Sequence, residues 1–247
     1  MTLALLLLTL PTDAPAATSD PAATGTAATG TADARVAAEL LLRGIDPTGR
    51  DQWTEAARDR LAKDDFAALD AALAASAPSE TAVAERVREL ATALEQRQQS
   101  LSDLLTAAGT DRATLRQAIR TRLAFEAAAR ERVTEQAIRD EFDRHRRWYD
   151  GTTATVRQRI GDAPSVDAPA SDADPVTVRG LRSMPLAVAQ AVFAAEPGRT
   201  LDAVRSPLGW HRVSVDTITP GDRSREDSRK DVITMLRRQL RAELIAR

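Results

Sequence analysis

Side chains that commonly carry catalysis are scarce in this sequence. It contains no cysteine, which excludes thiolate nucleophiles, disulfide scaffolds and zinc–thiolate sites. Its two lysines, Lys63 and Lys230, lie outside any Gly-x-x-x-x-Gly-Lys loop, so a P-loop nucleotide site is also excluded. Of the two histidines, we interpret His145 as a solvated or half-covered helix residue without a chemical role. His211 is therefore the imidazole to consider for hydrogen-bonding or acid–base chemistry.

The composition favours a mostly helical protein that does not bind nucleic acid. The 247 residues include 34 Lys+Arg and 36 Asp+Glu, a formal net charge of −2, so no overall field attracts a polyanion. Hydrophobic residues make up 43% of the chain but aromatic residues only 3%, and much of the hydrophobic fraction is alanine. Such a composition is typical of amphipathic helices. We predict no metal site and no small-molecule cofactor.

The amino-terminal residues have the pattern of an export signal followed by a linker. Leu3 to Leu10 are apolar apart from Thr9, and this run is too short for the ~20 residues that a membrane-spanning helix needs. Small residues follow it at Ala14 to Ala17. We therefore predict a signal peptide over residues 1–17 and a disordered linker over 18–33, and hence a periplasmic or extracellular protein. If the run is not a signal, the protein is cytoplasmic.

Residues 34–149 have the periodicity of a helical domain. Ser79 and either Thr110 or Asp111 stand where helix N-caps are expected, and Gly109 closes a short helix that begins at Ser100. Apolar side chains recur at helical spacing in five groups, each of which predicts one buried face. These groups are Val36, Leu40 and Leu41; Phe66, Leu69 and Leu73; Val83, Val87, Leu90, Ala91 and Leu94; Leu115, Ile119 and Leu123; and Ile138, Phe142, His145 and Tyr149.

A small α+β domain is predicted over residues 150–219. Strand propensity marks Thr152–Ile160 and Val176–Arg179, and a flexible insert rich in Pro, Ala, Ser and Asp joins them. A helix is predicted over Pro185–Ala195, and a hairpin follows, formed by Leu201–Ser206 and Trp210–Ile218. Because side chains alternate along a strand, His211 shares a side with Val213 and Val215, which we expect to be the covered side.

The last segment, residues 220–247, is predicted to be a helix that packs back on the helical domain. Ser224 and Asp227 resemble a capping box at its start. Ile233, Leu236, Leu240 and Leu244 form an apolar stripe along the helix. We expect this stripe to cover the faces that contain Val83–Leu94 and Leu115–Leu123.

Three stretches together resemble the SurA-like exported chaperones of the parvulin-type (PpiC-like) peptidyl-prolyl cis-trans isomerase family. Thr134–Phe142, followed by Tyr149–Thr152, is similar to the junction between the helical part of the family and its parvulin domain. Met184–Phe193 resembles the helix in the second half of that domain, and Ser206–Val213 resembles its closing hairpin. The resemblance implies a SurA-like helical body, an abbreviated parvulin-like domain and a final helix docked on the body.

The same resemblance assigns roles to six residues. It makes His211 the second of two active-site histidines and Ser206 the hydroxyl beside it, and it places Gln158, within one residue, where the family has its other histidine. Met184 corresponds to part of the apolar cup that holds proline, Val188 to the position of its aromatic wall, and Phe193 lies in the same helix as a further substrate-binding candidate. The missing histidine and the missing aromatic wall leave this site incomplete.

Three functions remain open from the sequence. The first is an exported folding factor that binds unfolded or proline-containing polypeptide as a chaperone, with isomerase activity that is weak or lost. The second is an active parvulin-type isomerase working with His211, Met184 and Ser206. The third is a structural or adaptor helical domain without catalysis. Whether the chain is an enzyme is left undecided by these residues.

Overall fold

The structure, a computed structural model, describes residues 28–169 and 172–246. The predicted signal peptide (1–17) and most of the predicted linker (18–33) lie outside the described residues. The first helix begins at Ala28, so residues 28–33 are helical and not linker. Residues 28–33 include Gly30 and Asp33, which have low helix propensity, so this first part continues a helix that is stabilised by its buried residues Val36–Leu41.

The described chain divides into a helical unit, residues 28–134 with 237–246, and a sheet unit, residues 135–236. The division differs from the predicted boundary at residue 149/150, because residues 135–149 group with the sheet. Tyr149 and Trp148 explain this: the Tyr149 carbonyl accepts a hydrogen bond from the Ser228 hydroxyl at 2.8 Å, and Trp148 packs against the sheet core. Side-chain contacts thus decide the boundary, and the onset of strand propensity does not.

Six helices and one 3-10 turn form the helical unit before residue 135. Helix-capping side chains were predicted correctly at Ser79, which accepts a hydrogen bond from Ala82 N, and at Asp111, which accepts one from Thr114 N at 2.7 Å. The helices are α1 (Ala28–Leu42), α2 (Gln52–Ala62), α3 (Phe66–Leu73, followed by the 3-10 turn Ala74–Ser76), α4 (Glu80–Glu95), α5 (Leu101–Ala107) and α6 (Arg112–Arg132).

The main core of the helical unit joins α1, α4, α5 and α6. It contains the predicted faces of α4 and α6, with Val83 and Leu115 fully buried and Leu123 half-buried at its margin. A second cluster, between α1 and α2, buries Val36 and Leu40. These clusters confirm the helical periodicity that predicted them.

The sheet unit contains helices α7 to α9 and one four-stranded antiparallel sheet. Its strands lie in the order β2-β1-β4-β3, and β1 is paired along nearly its whole length with β4. Helix α9 covers one face of the sheet, where Val188, Val192 and Phe193 meet Val156, Val178, Val213 and Val215. The elements are α7 (Glu135–Arg144), α8 (Arg146–Tyr149), β1 (Thr153–Gly161), β2 (Val176–Arg179), α9 (Leu186–Ala194), β3 (Val204–Ser206) and β4 (Gly209–Thr219).

Helix α10 (Arg225–Ile245) begins in the sheet unit and ends in the helical unit. In the helical unit Leu240 and Leu244 pack with Leu69 and Leu73 of α3 and with Ala124 and Ala129 of α6. The helix therefore docks as predicted, but on α3 and the second half of α6, and the Val83–Leu94 face is not its partner. The predicted stripe is also not continuous, because the buried apolar residues in the first half of α10 are Val232 and Met235, and not Ile233 and Leu236.

These elements confirm the predicted fold class, a mostly helical chain with one small α+β domain. In the described part of the chain, no helix combines the length and the apolar character that crossing a membrane requires.

Candidate functional site

The β3–β4 hairpin holds Ser206 and His211 together on the covered face of the sheet. Ser206 Oγ lies 2.6 Å from His211 Nε2, and the Leu208 amide donates to the same oxygen at 3.0 Å. Since Oγ already accepts the Leu208 N–H, it is free to donate its own proton to Nε2. The hairpin thus fixes the position of the imidazole through a hydrogen bond at Nε2.

Gly209 allows this hairpin to lie against strand β1. Its φ of +120° is a backbone conformation that favours glycine, and a Cβ at this position would approach the Gly161 carbonyl oxygen to 2.8 Å. The close approach keeps His211 opposite Ile160 of β1.

His211 is enclosed by the protein. It is 1% exposed, and burial lowers its pKa below the usual value for histidine. The imidazole is therefore neutral at physiological pH. Its Nδ1 atom is buried and has no hydrogen-bond partner among the described residues.

Gln158 lies on the same face of the sheet as His211. It pairs with Val213 on β4, two residues from the Ile160–His211 pair, so residues 158 and 211 are diagonal neighbours. Its side-chain carbonyl oxygen Oε1 is also buried without a partner in the described chain. Arg157 and Arg159 stand on the opposite face, so among residues 157–159 only Gln158 shares the face of His211. The structure therefore brings Gln158, Ser206 and His211 to one face.

The residues predicted to bind substrate divide into two kinds. Met184, just before α9, is half-buried and packs at the edge of the sheet core. Val188 and Phe193 are 0% and 1% exposed and fill the interior between α9 and the sheet. Their side chains are therefore part of the core and not of an open binding surface, because α9 turns this face towards the strands.

The exposure of two apolar side chains beside the hairpin was not predicted from the sequence. Ile160 is 46% exposed and Leu208 is 59% exposed. Leu208 is in the hairpin turn, where its amide donates to Ser206 Oγ, and Ile160 lies near Gly209. Ile160 follows the buried residues Ala154 and Val156 at a spacing of two along β1, so strand periodicity assigns its side chain to the covered face. Only its place at the end of the sheet leaves it open to solvent.

We expect the buried imidazole to make stability depend on pH. Because the pKa of His211 is lowered in the folded state, the unfolded chain takes up the proton first, and the free energy of unfolding should fall as the pH drops below about 6.5. A His211→Gln variant should lack this component, whereas His145→Gln should keep it. Urea unfolding of the three proteins between pH 8 and pH 5 measures the difference, and equal pH profiles for all three would contradict it.

No group of three or more potential metal-ligating side chains (His, Cys, Asp or Glu) is present within residues 28–169 and 172–246. The polar groups on the covered face of the hairpin are one imidazole (His211), one hydroxyl (Ser206) and one carboxamide (Gln158), next to apolar side chains.

Comparison with known proteins identifies the domain. Residues 117–228 match the family model of the PPIC-type PPIase domain. No curated protein sequence matches the chain.

Several solved structures are similar to this one. Peptidylprolyl isomerase PrsA from Bacillus anthracis is 13% identical, covers 74% of this chain and 93% of its own, and gives a TM-score of 0.46. Foldase protein PrsA from Streptococcus pneumoniae is 16% identical, with 73% and 78% covered and a TM-score of 0.36. A structure from the study of PEB4 and Cj1289, two SurA-like chaperones of Campylobacter jejuni, is 10% identical, with 78% and 82% covered and a TM-score of 0.25. Because these TM-scores are below 0.5, the assignment depends on the sequence match over residues 117–228. The match confirms the predicted resemblance for this part of the chain: residues 117–228 are a domain of the parvulin-type (PPIC-type) peptidyl-prolyl isomerase family.

Proposed function

We propose that this chain is an exported folding factor that holds extended polypeptide and that its isomerase activity is weak or lost. The observation that carries the proposal is the enclosure of the polar groups at the site. His211 Nδ1 and Gln158 Oε1 are buried and unpartnered, so neither atom can reach a polypeptide at the surface without a side-chain rearrangement.

Isomerisation of an X-Pro bond makes specific demands on a catalyst. Unaided, the bond turns over in tens to hundreds of seconds, because rotation breaks the partial double bond of the amide. Catalysis requires an apolar cup for the proline ring and preorganised hydrogen bonds to the twisted amide. By the family resemblance, the cup's aromatic wall corresponds to Val188, which is 0% exposed, and one histidine corresponds to Gln158. Each donor lost from such a site commonly lowers the rate about a hundredfold or more.

A groove in the helical unit offers a surface for holding polypeptide. It has a volume of about 430 Å³ and an apolar floor that includes Leu42, Ile119 and Leu123. Glutamate and arginine side chains line its rim, among them Glu85 and Arg122. An apolar floor with a polar rim suits an extended segment that carries single apolar side chains between polar groups.

An active isomerase is the second candidate, and the Ser206–His211 hydrogen bond favours it. That bond orients a neutral imidazole, and half-buried Met184 stands at the edge of the same core. A structural or adaptor role is the third candidate.

Export is part of the proposal because Leu3–Leu10 have the length of a signal-peptide core.

Two assays separate these candidates. In a protease-coupled proline-isomerisation assay we expect a rate close to the uncatalysed one, unchanged in His211→Ala. A parent activity that falls tenfold or more in a folded His211→Ala protein would instead establish the isomerase.

Suppression of the aggregation of a chemically unfolded client enzyme tests the holding function. We expect the parent chain to suppress aggregation and Leu123→Gln, in the groove, to lose most of this effect. Leu104→Gln is the matched control, since Leu104 is half-buried against the same core but does not line the groove. No suppression by the parent would leave the structural or adaptor role.

A further inference from the structure

The second face of the sheet, opposite α9, is strongly cationic. Alternation along the paired strands places Arg157 and Arg159 of β1, Arg205 of β3 and Arg212 of β4 on this face. They surround Trp210, which is directly opposite both Arg205 and Gly161. We call this set of five side chains the arginine face.

Two of its arginines are direct cross-strand neighbours. Arg159 pairs with Arg212 in the β1–β4 register. Like charges in directly opposite positions destabilise a sheet unless an anion lies near them. Arg212 also has a buried Nε that makes no hydrogen bond within the described chain. Within this pair Arg212 therefore leaves hydrogen-bonding capacity unsatisfied.

Next to this pair, Arg205 adds a further positive charge and Trp210 adds an aromatic ring to the arginine face. The Arg205 guanidinium carbon lies 5.9 Å from the centre of the Trp210 ring. Arg205 is exposed and, like Arg212, has no carboxylate partner among the described residues. The open part of the arginine face is thus a pair of unpaired guanidinium groups beside a half-exposed indole.

The other part of the face already holds carboxylates. Arg157 binds Asp216 at 2.7 Å, and Arg159 lies 3.6 Å from Asp167. Asp167 belongs to the insert between β1 and β2, and the Ala173 carbonyl of the same insert accepts a hydrogen bond from Arg157 at 3.0 Å. An irregular, acidic stretch of polypeptide is therefore the kind of ligand that this face accepts within its own chain.

We propose that the arginine face binds an acidic segment of a client polypeptide through Arg205 and Arg212, with Trp210 packing against its side chains. The proposal rests on the proposed function in taking polypeptide as the ligand. One feature favours polypeptide over a phosphate polymer: an insert of the chain itself already supplies a carboxylate (Asp167) and a backbone carbonyl (Ala173) to this face. Guanidinium groups bind carboxylates in a directed, two-pronged manner that suits spaced Asp and Glu side chains.

Fluorescence anisotropy with a labelled peptide of alternating Asp and Ala tests the proposal on the full chain. We expect binding at low salt that weakens at about 0.3 M salt, and no binding of the matching Asn–Ala peptide. Arg205→Gln with Arg212→Gln should weaken binding about tenfold. Arg88→Gln with Arg97→Gln removes the same charge from exposed positions, one in α4 and one in the turn after it, and should leave the affinity unchanged.

A single variant and two competing ligands complete the test. Arg205→Gln alone changes an exposed residue, so it tests the face even if the double variant unfolds, and it should weaken binding in the same direction. Equal losses in the two double variants, or no binding of the acidic peptide, would overturn the proposal. Tighter binding of labelled single-stranded DNA or of phosphatidylglycerol vesicles would overturn the assignment to polypeptide. Aggregation of a client without acidic stretches reports on the holding function separately, so either proposal can fail alone.

Discussion

Replacing Gly221 with alanine should lower the free energy of unfolding of the sheet unit by about 3 kcal/mol or more. A Cβ at this position would overlap three backbone atoms, the Asp150 carbonyl oxygen, the Gly151 carbonyl carbon and the Thr152 nitrogen. Backbone atoms cannot move aside as the end of a flexible side chain does. The strain would therefore open the crossing between residues 150–152 and 221–223.

Hydrogen bonds at that crossing would be lost together. The Gly221 amide donates to Thr152 Oγ1 at 3.1 Å, and the Arg223 amide donates to the Asp150 carbonyl at 2.8 Å. Asp150 in turn accepts from the Thr152 amide and hydroxyl, and both residues are buried. The crossing connects the start of β1 with the approach to α10, so its loss should affect the whole sheet unit.

Urea unfolding followed by tryptophan fluorescence measures this effect, since Trp148 and Trp210 belong to the sheet unit. Gly198→Ala is the matched control. Gly198 has a φ of +82° but no atom within 4 Å of an added Cβ, so only the backbone strain of about 1–2 kcal/mol applies. Equal losses for the two variants would contradict the steric argument at Gly221.

The sequence was sufficient to predict features that depend on local periodicity. Val83, Val87 and Leu115 recur at helical spacing, and they are buried. Strand alternation placed His211 with Val213 and Val215, and all three are buried on one face. Such predictions succeed because the side-chain direction along one element is set by that element alone.

Features that depend on pairing between distant segments could not be predicted. The β1–β4 register, which places Gln158 and not Arg157 or Arg159 on the face of His211, is a property of two strands about fifty residues apart. The partners of Leu240 and Leu244 were misassigned for the same reason, since several helices offer similar apolar faces. The arginine face follows from the register too, because Arg159 and Arg212 are unremarkable along the chain and become neighbours only in the sheet.

A buried polar network in the helical unit is a further feature of this kind. Arg35 of α1 donates to Glu39 at 3.3 Å, to both oxygens of Asp70 on α3 at 3.2 and 3.3 Å, and to the Thr121 hydroxyl of α6 at 3.2 Å. The guanidinium group also lies over the Phe66 ring, 5.0 Å from its centre. Nothing in the local sequence distinguishes Arg35 from the many exposed arginines, yet it joins three helices.

Arg35→Met should therefore destabilise the helical unit by about 3–5 kcal/mol, because it removes the hydrogen-bonded cation of two carboxylates in a mostly buried environment. The side chain of Arg35 is 8% exposed, whereas that of Arg86, which pairs with Glu89 at the surface, is 45% exposed. Arg86→Met is thus the matched control and should cost at most about 1 kcal/mol. Thermal or urea unfolding followed by circular dichroism measures both.

The loss in Arg35→Met should shrink as the pH is lowered. Burial already raises the pKa of Glu39 above its usual value, and the nearby Arg35 charge opposes that rise. Without Arg35 the pKa of Glu39 rises further, so the folded variant takes up a proton before the unfolded chain does, and its stability should recover as the pH falls towards about 4.5. Adding Asp70→Asn to Arg35→Met should recover part of the loss at neutral pH, since it removes one unpaired charge. A loss below about 1 kcal/mol, or one that does not change with pH, would mean that the network contributes no more than a surface ion pair.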